Sequence, residues 1–333
     1  MPRGIKKGDL KITRFKHGLL GEDGVHNQRR VYGETLVGLG RENKDIVVLE
    51  ADLGKSTMSC LFQNEFPERY FEMGIAEANM VSFAAGLSLT GKIAFANSFA
   101  VFASGRTFDQ IRQGICIGSL NVKIIGSSAG FSDFGDGATH QSVEDIAIMR
   151  AIPNMTVIAP CDGIETRKAV RAITEYNGPV YMRLSRNDLE DIYPEDQEFI
   201  IGKPVVLKDG TDIAVFAAGT MVGPALEAAA KLEKEGISAR VVNVSTLKPL
   251  DENAIIDLAK DMKGVVTAEE HSYIGGLASA VSYALRNTPV PLEAVAINDV
   301  FGQSAENHQQ LLDYYGLNSE SIIQKTRLIL GKA

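Results

Sequence analysis

Asp45-Ile46-Val47-Val48-Leu49-Glu50-Ala51-Asp52-Leu53-Gly54-Lys55-Ser56-Thr57 places four consecutive apolar residues between an acid and a polar loop. A strand with one wet face alternates apolar and polar side chains. A strand buried on both faces of a parallel sheet reads instead as an unbroken apolar run. The run at 46–49 is of the second kind, and it ends at the strand edge where open α/β sheets bind ligands. Outward from it the pattern repeats. Upstream, 29–43 carries Val31, Leu36, Val37 and Leu39 and predicts a helix. Downstream, helix 76–89 leads to strand 93–96, and helix 101–117 to strand 122–125. Helix 142–149 then leads to strand 155–158, and helix 164–175 to strand 180–184. Such alternation predicts βαβ units with right-handed crossovers. A polar stretch, 185–212, separates these from a second series: strand 213–217, helix 223–235, strand 239–244, helix 251–260, strand 264–268, helix 275–286, strand 292–297 and a helical tail, 320–330. The expected fold is α/β with two doubly wound domains. An arm at 1–24 precedes a first domain at 25–190, and a linker at 191–211 leads to a second domain at 212–333.

The chain has 333 residues, long enough for two cores of ordinary size. Its 42 acidic residues outnumber 34 basic ones, for a net charge of −8, which argues against a nucleic-acid footprint. The basic start (Arg3, Lys6, Lys7, Lys11, Arg14, Lys16) lacks the apolar segment of a signal peptide and reads as a solvated arm. No apolar run has the roughly 18–20 residues of a membrane span. Cys60, Cys116 and Cys161 lie too far apart for a disulfide framework or a zinc spacing. Buried thiols in the cytoplasm are the expectation.

Several stretches carry candidate chemistry. In Phe71-Glu72-Met73-Gly74-Ile75-Ala76-Glu77-Ala78-Asn79-Met80, Glu77 heads a small and apolar run that offers it no charged partner. The loop after strand 122–125 is glycine-rich and supplies Asp136 and His140 four residues apart, a pairing suited to acid–base work. Asp52 and Ser56 sit on the first strand-end loop. Phe99 and Phe102 are three apart on the loop and early helix after strand 93–96, where core packing is the simplest reading. Arg186, just past strand 180–184, is an anion-binder candidate. Glu269-Glu270-His271 resembles a dyad, but no comparable glycine loop adjoins it, and an interface or structural role is expected. Gly135-Asp136-Gly137 looks like the GDG that binds diphosphate and Mg²⁺ in thiamine diphosphate enzymes. No Asn-Asn pair follows it anywhere in the chain, so it is not that site.

Taken together, GIAEANM (74–80), FDQIR (108–112), DGATHQ (136–141), IPNM (152–155), EEH (269–271) and FGQS (301–304) resemble transketolase. The likeness runs in order from about 25 to 330 and is narrower still to the C-terminal half of a transketolase encoded as two chains. It implies a pyrimidine-binding thiamine diphosphate fold followed by a transketolase C-terminal-type domain. By that resemblance Glu77 matches the glutamate that hydrogen-bonds N1′ of the aminopyrimidine, in an apolar site that favours its protonated form. Phe102 matches the ring stacked on the pyrimidine, and Phe99 its neighbour. Asp136 and His140 resemble the groups that bind the donor's hydroxyl and carbonyl end, with His140 placed to move a proton at the substrate oxygen. Arg29, Ser56 and Arg186 match groups that hold a sugar's terminal phosphate. Asp52 matches a polar position near the cofactor and the subunit contact.

The resemblance therefore implies thiamine diphosphate as cofactor and transfer of a two-carbon ketol unit between sugar phosphates. It also implies an N-terminal partner half that brings the diphosphate and most of the Mg²⁺ binding, in an α₂β₂ heterotetramer. Two positions depart from the family pattern. Ser128 stands where a phosphate-contacting histidine is usual, and Gly105 where some members place an aromatic residue. A looser pocket, accepting a ketose with another terminal group or a branched one, is expected. Alternatives within the chemistry are a 1-deoxyxylulose-5-phosphate synthase, normally one long chain, and the beta chain of a 2-oxo acid dehydrogenase, which lacks the DGATHQ loop. A non-catalytic regulatory or scaffolding partner would need neither Glu77 nor His140.

Overall fold

A computed structural model describes residues 24–332, and the basic arm expected at 1–24 lies almost wholly outside them. After a short strand β1 (Val25–Asn27), the first half builds β2 (Ile46–Glu50), β3 (Tyr70–Glu72), β4 (Ile93–Phe99), β5 (Val122–Ser127), β6 (Thr156–Ile158) and β7 (Val180–Arg183). The second half contributes β8 (Asp188–Glu190), β9 (Val205–Lys208), β10 (Ile213–Ala217), β11 (Ala239–Asn243), β12 (Thr246–Lys248), β13 (Gly264–Ser272) and β14 (Leu292–Ile297). The first sheet has the order β12-β6-β7-β5-β4-β2-β3, with every pairing parallel except that of β12. The second has the order β14-β13-β10-β11-β9, parallel except for β9. Two doubly wound α/β units are therefore present.

All five residues of β2 are buried, as its unbroken apolar run requires. Alternate side chains along the strands enter different layers. Ile46, Val48, Phe95, Ile125 and Met182 pack on one side of the sheet. Val47, Leu49, Ala96, Ile124 and Tyr181 pack on the other, in a core that also takes Phe216, Val242 and Val265 from the second sheet. Burying each such Val, Leu, Ile or Phe side chain contributes about 1.5–3 kcal/mol. The two halves thus share a core and are not beads on a tether.

Four features differ from the sequence expectation. The stretch read as a linker carries β9, which edges the second sheet, while β8, just before it, pairs with β1. β12, directly after β11, leaves its own sheet and joins β6 of the first, and Lys248 Nζ there donates to the carbonyls of Arg150 and Ile152. β4 runs on to Phe99, so Phe99 ends a strand where a loop was expected. The helix expected over 101–117 is broken into wide π turns, Phe102–Arg106 and Ile111–Cys116. Such turns recur at functional sites.

Candidate functional site

Because the strands of the first sheet run parallel, their C-terminal ends gather on one edge. β2 delivers Asp52 and Ser56 there, β3 leads to Glu77, β4 ends at Phe99, β5 leads to Ser128, and β7 to Arg186. Glu72, the last residue of β3, ties two of these loops together: its Oε1 accepts from the N–H of Asp52 at 2.8 Å and from that of Gly74 at 3.0 Å. The Asp52 side chain itself is exposed.

Glu77 is the first residue of helix Glu77–Leu89, where a carboxylate meets the positive end of the helix dipole. Its side chain is 5% exposed, yet it is not the isolated acid that its apolar run suggested. Arg106 Nη1 donates to Glu77 Oε1 at 3.0 Å. The partner comes from 29 residues away, which is why the local sequence did not reveal it. Arg106 closes the π turn that Phe102 opens, and its guanidinium carbon lies 4.2 Å from the centre of the Phe102 ring. Phe102 and Phe99 are nearly parallel, at 16° and 6.3 Å between centres. His140 stands edge-on to both rings, at 5.3 Å from Phe102 and 6.2 Å from Phe99, with its Nδ1 2.9 Å from Thr139 Oγ1. Packing alone was the simplest reading of the two phenylalanines. The structure instead makes them the middle of a carboxylate–guanidinium–ring–imidazole cluster.

A second group lies beside the first. The β1–β8 ribbon brings Arg29 and Arg186 together. Arg29 Nη1 donates to the carbonyl of Ser56 at 2.6 Å, and Nη2 to that of Arg186 at 2.9 Å. The Ser56 hydroxyl plays no part in this. Burial, and then the neighbouring Arg186 charge, lower the pKa of Arg29. Arg186 is not a free cation either, because its Nη1 donates to Asp133 Oδ1 at 2.7 Å. Asp133, which the sequence reading passed over inside its own glycine loop, is raised by burial against the pull of Arg186. Asp136 and His140 are close enough to act on it as well. Asp136 is exposed, and Ser128 is fully buried with φ 55° and a hydroxyl that has no partner among the described residues.

The loop carrying Asp133, Asp136 and His140 is held from outside its own domain. Phe131 N–H donates to Glu270 Oε1 at 2.6 Å. The same carboxylate meets His308 Nε2 at 2.9 Å and Thr220 Oγ1 at 2.5 Å. Burial would raise the Glu270 carboxyl, but the His308 charge and these hydrogen bonds hold it below the usual range. Gln141 donates to the carbonyls of Asp133 and Gln303, Ala305 N–H donates to the carbonyl of Phe134, and Phe131 stacks on Tyr315 at 4.4 Å. Glu269, pushed up to about 7 by burial, accepts from the N–H groups of Leu277 and Ala278 at the start of helix Leu277–Ala284. His271, pushed down to about 4 by burial, accepts from Ala147 N–H at 3.3 Å. The Glu-Glu-His run is therefore interdomain structure, as its lack of a glycine loop suggested. Among the described residues, no group of three or more His, Cys, Asp or Glu side chains could hold a metal ion, and no helix is long and apolar enough to cross a membrane.

Residues 26–191 match the model of the transketolase pyrimidine-binding domain, and 202–322 that of the transketolase C-terminal domain. The chain belongs to the transketolase family. It is 50% identical over 301 residues to a Methanocaldococcus jannaschii protein described as a transketolase C-terminal section, covering 89% of this chain and 94% of that one. It is 42% identical to the 6-deoxy-6-sulfo-D-fructose transketolase subunit of a Clostridium strain, covering 90% and 93%. It is 38% identical to an apulose-4-phosphate transketolase subunit from Phocaeicola vulgatus, covering 88% and 94%. A split-gene transketolase solved as an inactive β₄ tetramer superposes with TM-score 0.85 at 48% identity, covering 91% and 98%. This chain thus corresponds to the C-terminal section of a transketolase, matching over nearly their whole length relatives that are themselves such sections or subunits.

Proposed function

We propose that this chain supplies the pyrimidine-binding half of a thiamine diphosphate-dependent active site that transfers a two-carbon ketol unit from a ketose to an aldose. The observation that carries the reading is the convergence of Glu77, Phe102, Phe99 and His140 on one sheet edge. The residues fit an aminopyrimidine once Arg106, which lies over the Phe102 ring and on Glu77 Oε1, gives way. Among the described residues the Glu77 carboxylate accepts from Arg106 on Oε1 and makes no hydrogen bond through Oε2, which is left as an acceptor.

When bound, thiamine diphosphate supplies an acidic thiazolium carbon and an electron sink. Glu77 holds and shares the proton at the pyrimidine nitrogen N1′, and Phe102 fixes the ring plane by stacking. Asp136 and His140 receive the donor's hydroxyl and carbonyl end, where His140 moves a proton at the substrate oxygen. Arg29, Ser56 and Arg186 belong to the sugar's far end, where the resemblance implies a phosphate. Asp52 lies toward the cofactor and the subunit contact. A diphosphate-binding half brings the remaining groups and Mg²⁺, in an α₂β₂ assembly in the cytoplasm. Relatives that are separate sections or subunits, and a β₄ tetramer described as inactive, support the need for that half.

Co-purification with a diphosphate-binding half, followed by a ketol-transfer assay on xylulose and xylulose 5-phosphate with ribose 5-phosphate as acceptor, tests the reading. The complex turns over and the pure chain, given Mg²⁺ and cofactor, does not. Glu77→Gln in the complex lowers kcat at least 100-fold with an unchanged circular-dichroism spectrum. Turnover by the pure chain, or an active Gln variant, would refute the assignment.

A further inference from the structure

The charge balance around Arg186 does not suit a dianion. Both terminal nitrogens of Arg29 already donate to backbone carbonyls, and Arg186 gives one of its own to Asp133. Asp133 is 2% exposed, against 37% for the Arg186 side chain, so the carboxylate is a fixed part of the wall and the guanidinium leans on it. Asp136 acts on Asp133, and Asp188 acts on Arg29. Among the described residues, two guanidinium groups and the His140 imidazole thus face three carboxylates, and the guanidinium and carboxylate charges alone sum to −1.

The hydrogen-bonding inventory points the same way. Among the described residues, Asp133 Oδ2, Ser127 Oγ, Ser128 Oγ and Arg29 Nε are all buried without partners. A carboxylate oxygen only accepts and a serine hydroxyl does both, whereas a phosphate dianion offers acceptors alone. Phosphate oxygens would meet Asp133 acceptor to acceptor and charge to charge. A sugar hydroxyl can donate to Asp133 and accept from arginine.

We propose that Asp133 is a specificity-determining residue, neutralising Arg186 internally so that the sugar end received here carries a hydroxyl in place of a phosphate. This rests on the ketol-transfer reading above and deepens it. The assembled two-chain enzyme should show kcat/KM for xylulose at least tenfold above that for xylulose 5-phosphate. Asp133→Asn, which keeps the shape and removes the charge, should move that ratio at least tenfold toward the phosphorylated ketose, chiefly through KM. Asp133→Glu, which keeps the charge, should leave the preference for xylulose in place.

Calorimetric titration of inorganic phosphate into the assembled enzyme gives a readout independent of turnover: Asp133→Asn should bind at least tenfold more tightly than the parent. A parent preference for xylulose 5-phosphate, or for a singly charged 6-deoxy-6-sulfo ketose over its neutral counterpart, overturns the proposal. So does an Asn variant with unchanged ratio and unchanged phosphate affinity. If neither ketose turns over, the ketol-transfer reading falls while the phosphate titration still decides the role of Asp133. If the Asn variant does not fold, the parent's preference between the two ketoses decides it.

Discussion

Arg106 occupies both features to which an aminopyrimidine is assigned, the face of Phe102 and the carboxylate of Glu77. Replacing it with alanine should therefore weaken the empty fold and tighten cofactor binding. At about 4 Å two unit charges attract by roughly 4 kcal/mol at an effective dielectric of about 20. Arg106, however, is 52% exposed against 5% for Glu77, so water screens the pair toward the roughly 0–1 kcal/mol of surface bridges. The guanidinium on the Phe102 face contributes about 0.5–1 kcal/mol more. Together, about 1–2 kcal/mol must be given up when the ring displaces the guanidinium. Arg106→Ala should then lower the Tm of the pure chain by a few degrees. It should also lower the Kd of the assembled enzyme for thiamine diphosphate by about 5- to 30-fold. The chain has no tryptophan to report binding by fluorescence, so calorimetry is the assay. The opposite signs are the diagnostic: a purely structural arginine would cost both stability and affinity. A Kd that is unchanged or weaker, beside a lower Tm, would refute the displacement argument.

Two further outcomes follow from the buried acids of the two domains. Glu270→Ala strands Phe131 N–H, Thr220 and His308. Breaking a buried pair of this kind costs about 3–5 kcal/mol, so urea unfolding should show a loss of unfolding free energy of that size, with a raised KM for the donor as the 131–141 loop loosens. Glu50, Glu165 and Glu269 are each pushed up to about 7 by burial, and all three are protonated on folding near neutrality. Their contribution is fully present below the unfolded value of about 4.5 and is lost as pH rises through about 7. Tm should therefore rise from pH 8 to about 6, with each acid worth on the order of a kcal/mol, and Glu269→Gln should flatten the profile. Further acidification works the other way. His271, pushed down to about 4, refuses a proton that the unfolded chain accepts below about 6.5, and Glu270 loses its charge below its own lowered pKa. A Tm that climbs steadily from pH 6 to 8 would contradict the burial argument.

What the sequence disclosed, it disclosed through local order. The run at 46–49 reads as a buried parallel strand because it is short, apolar throughout and bounded by polar residues, and all of it is buried. Glu77 drew notice because the apolar run that it heads offers it no charged partner. Arg106 and Asp133 had no such signature. One is a half-exposed arginine beside a glycine, the other an acid in a loop already rich in polar residues. Each acquires its meaning only from a partner that the fold brings across, 29 residues away for Arg106 and 53 for Asp133. β12 escaped for the same reason. Three residues after a predicted strand look like its frayed end, and only the edge of β6 makes them a strand of another sheet.

Among the described residues the second domain gives no side chain to the Glu77 cluster, yet the imidazole edge-on to Phe102 stands on a loop that this domain holds. Glu270 fixes Phe131 N–H, Gln303 accepts from Gln141, and Tyr315 stacks on Phe131. Those contacts span the whole 131–141 segment that carries Asp133, Asp136 and His140. A glycine-rich loop free to approach a ligand closely is also free to wander, because glycine restricts the backbone least. Ordering it needs contacts from a rigid body, and the nearest rigid body is the second sheet, which already shares a core with the first. The domain therefore serves the site by limiting where His140 and Asp133 can be. The two groups that face opposite ends of the proposed sugar are set by one clamp, so perturbing that clamp should change donor recognition at both ends together.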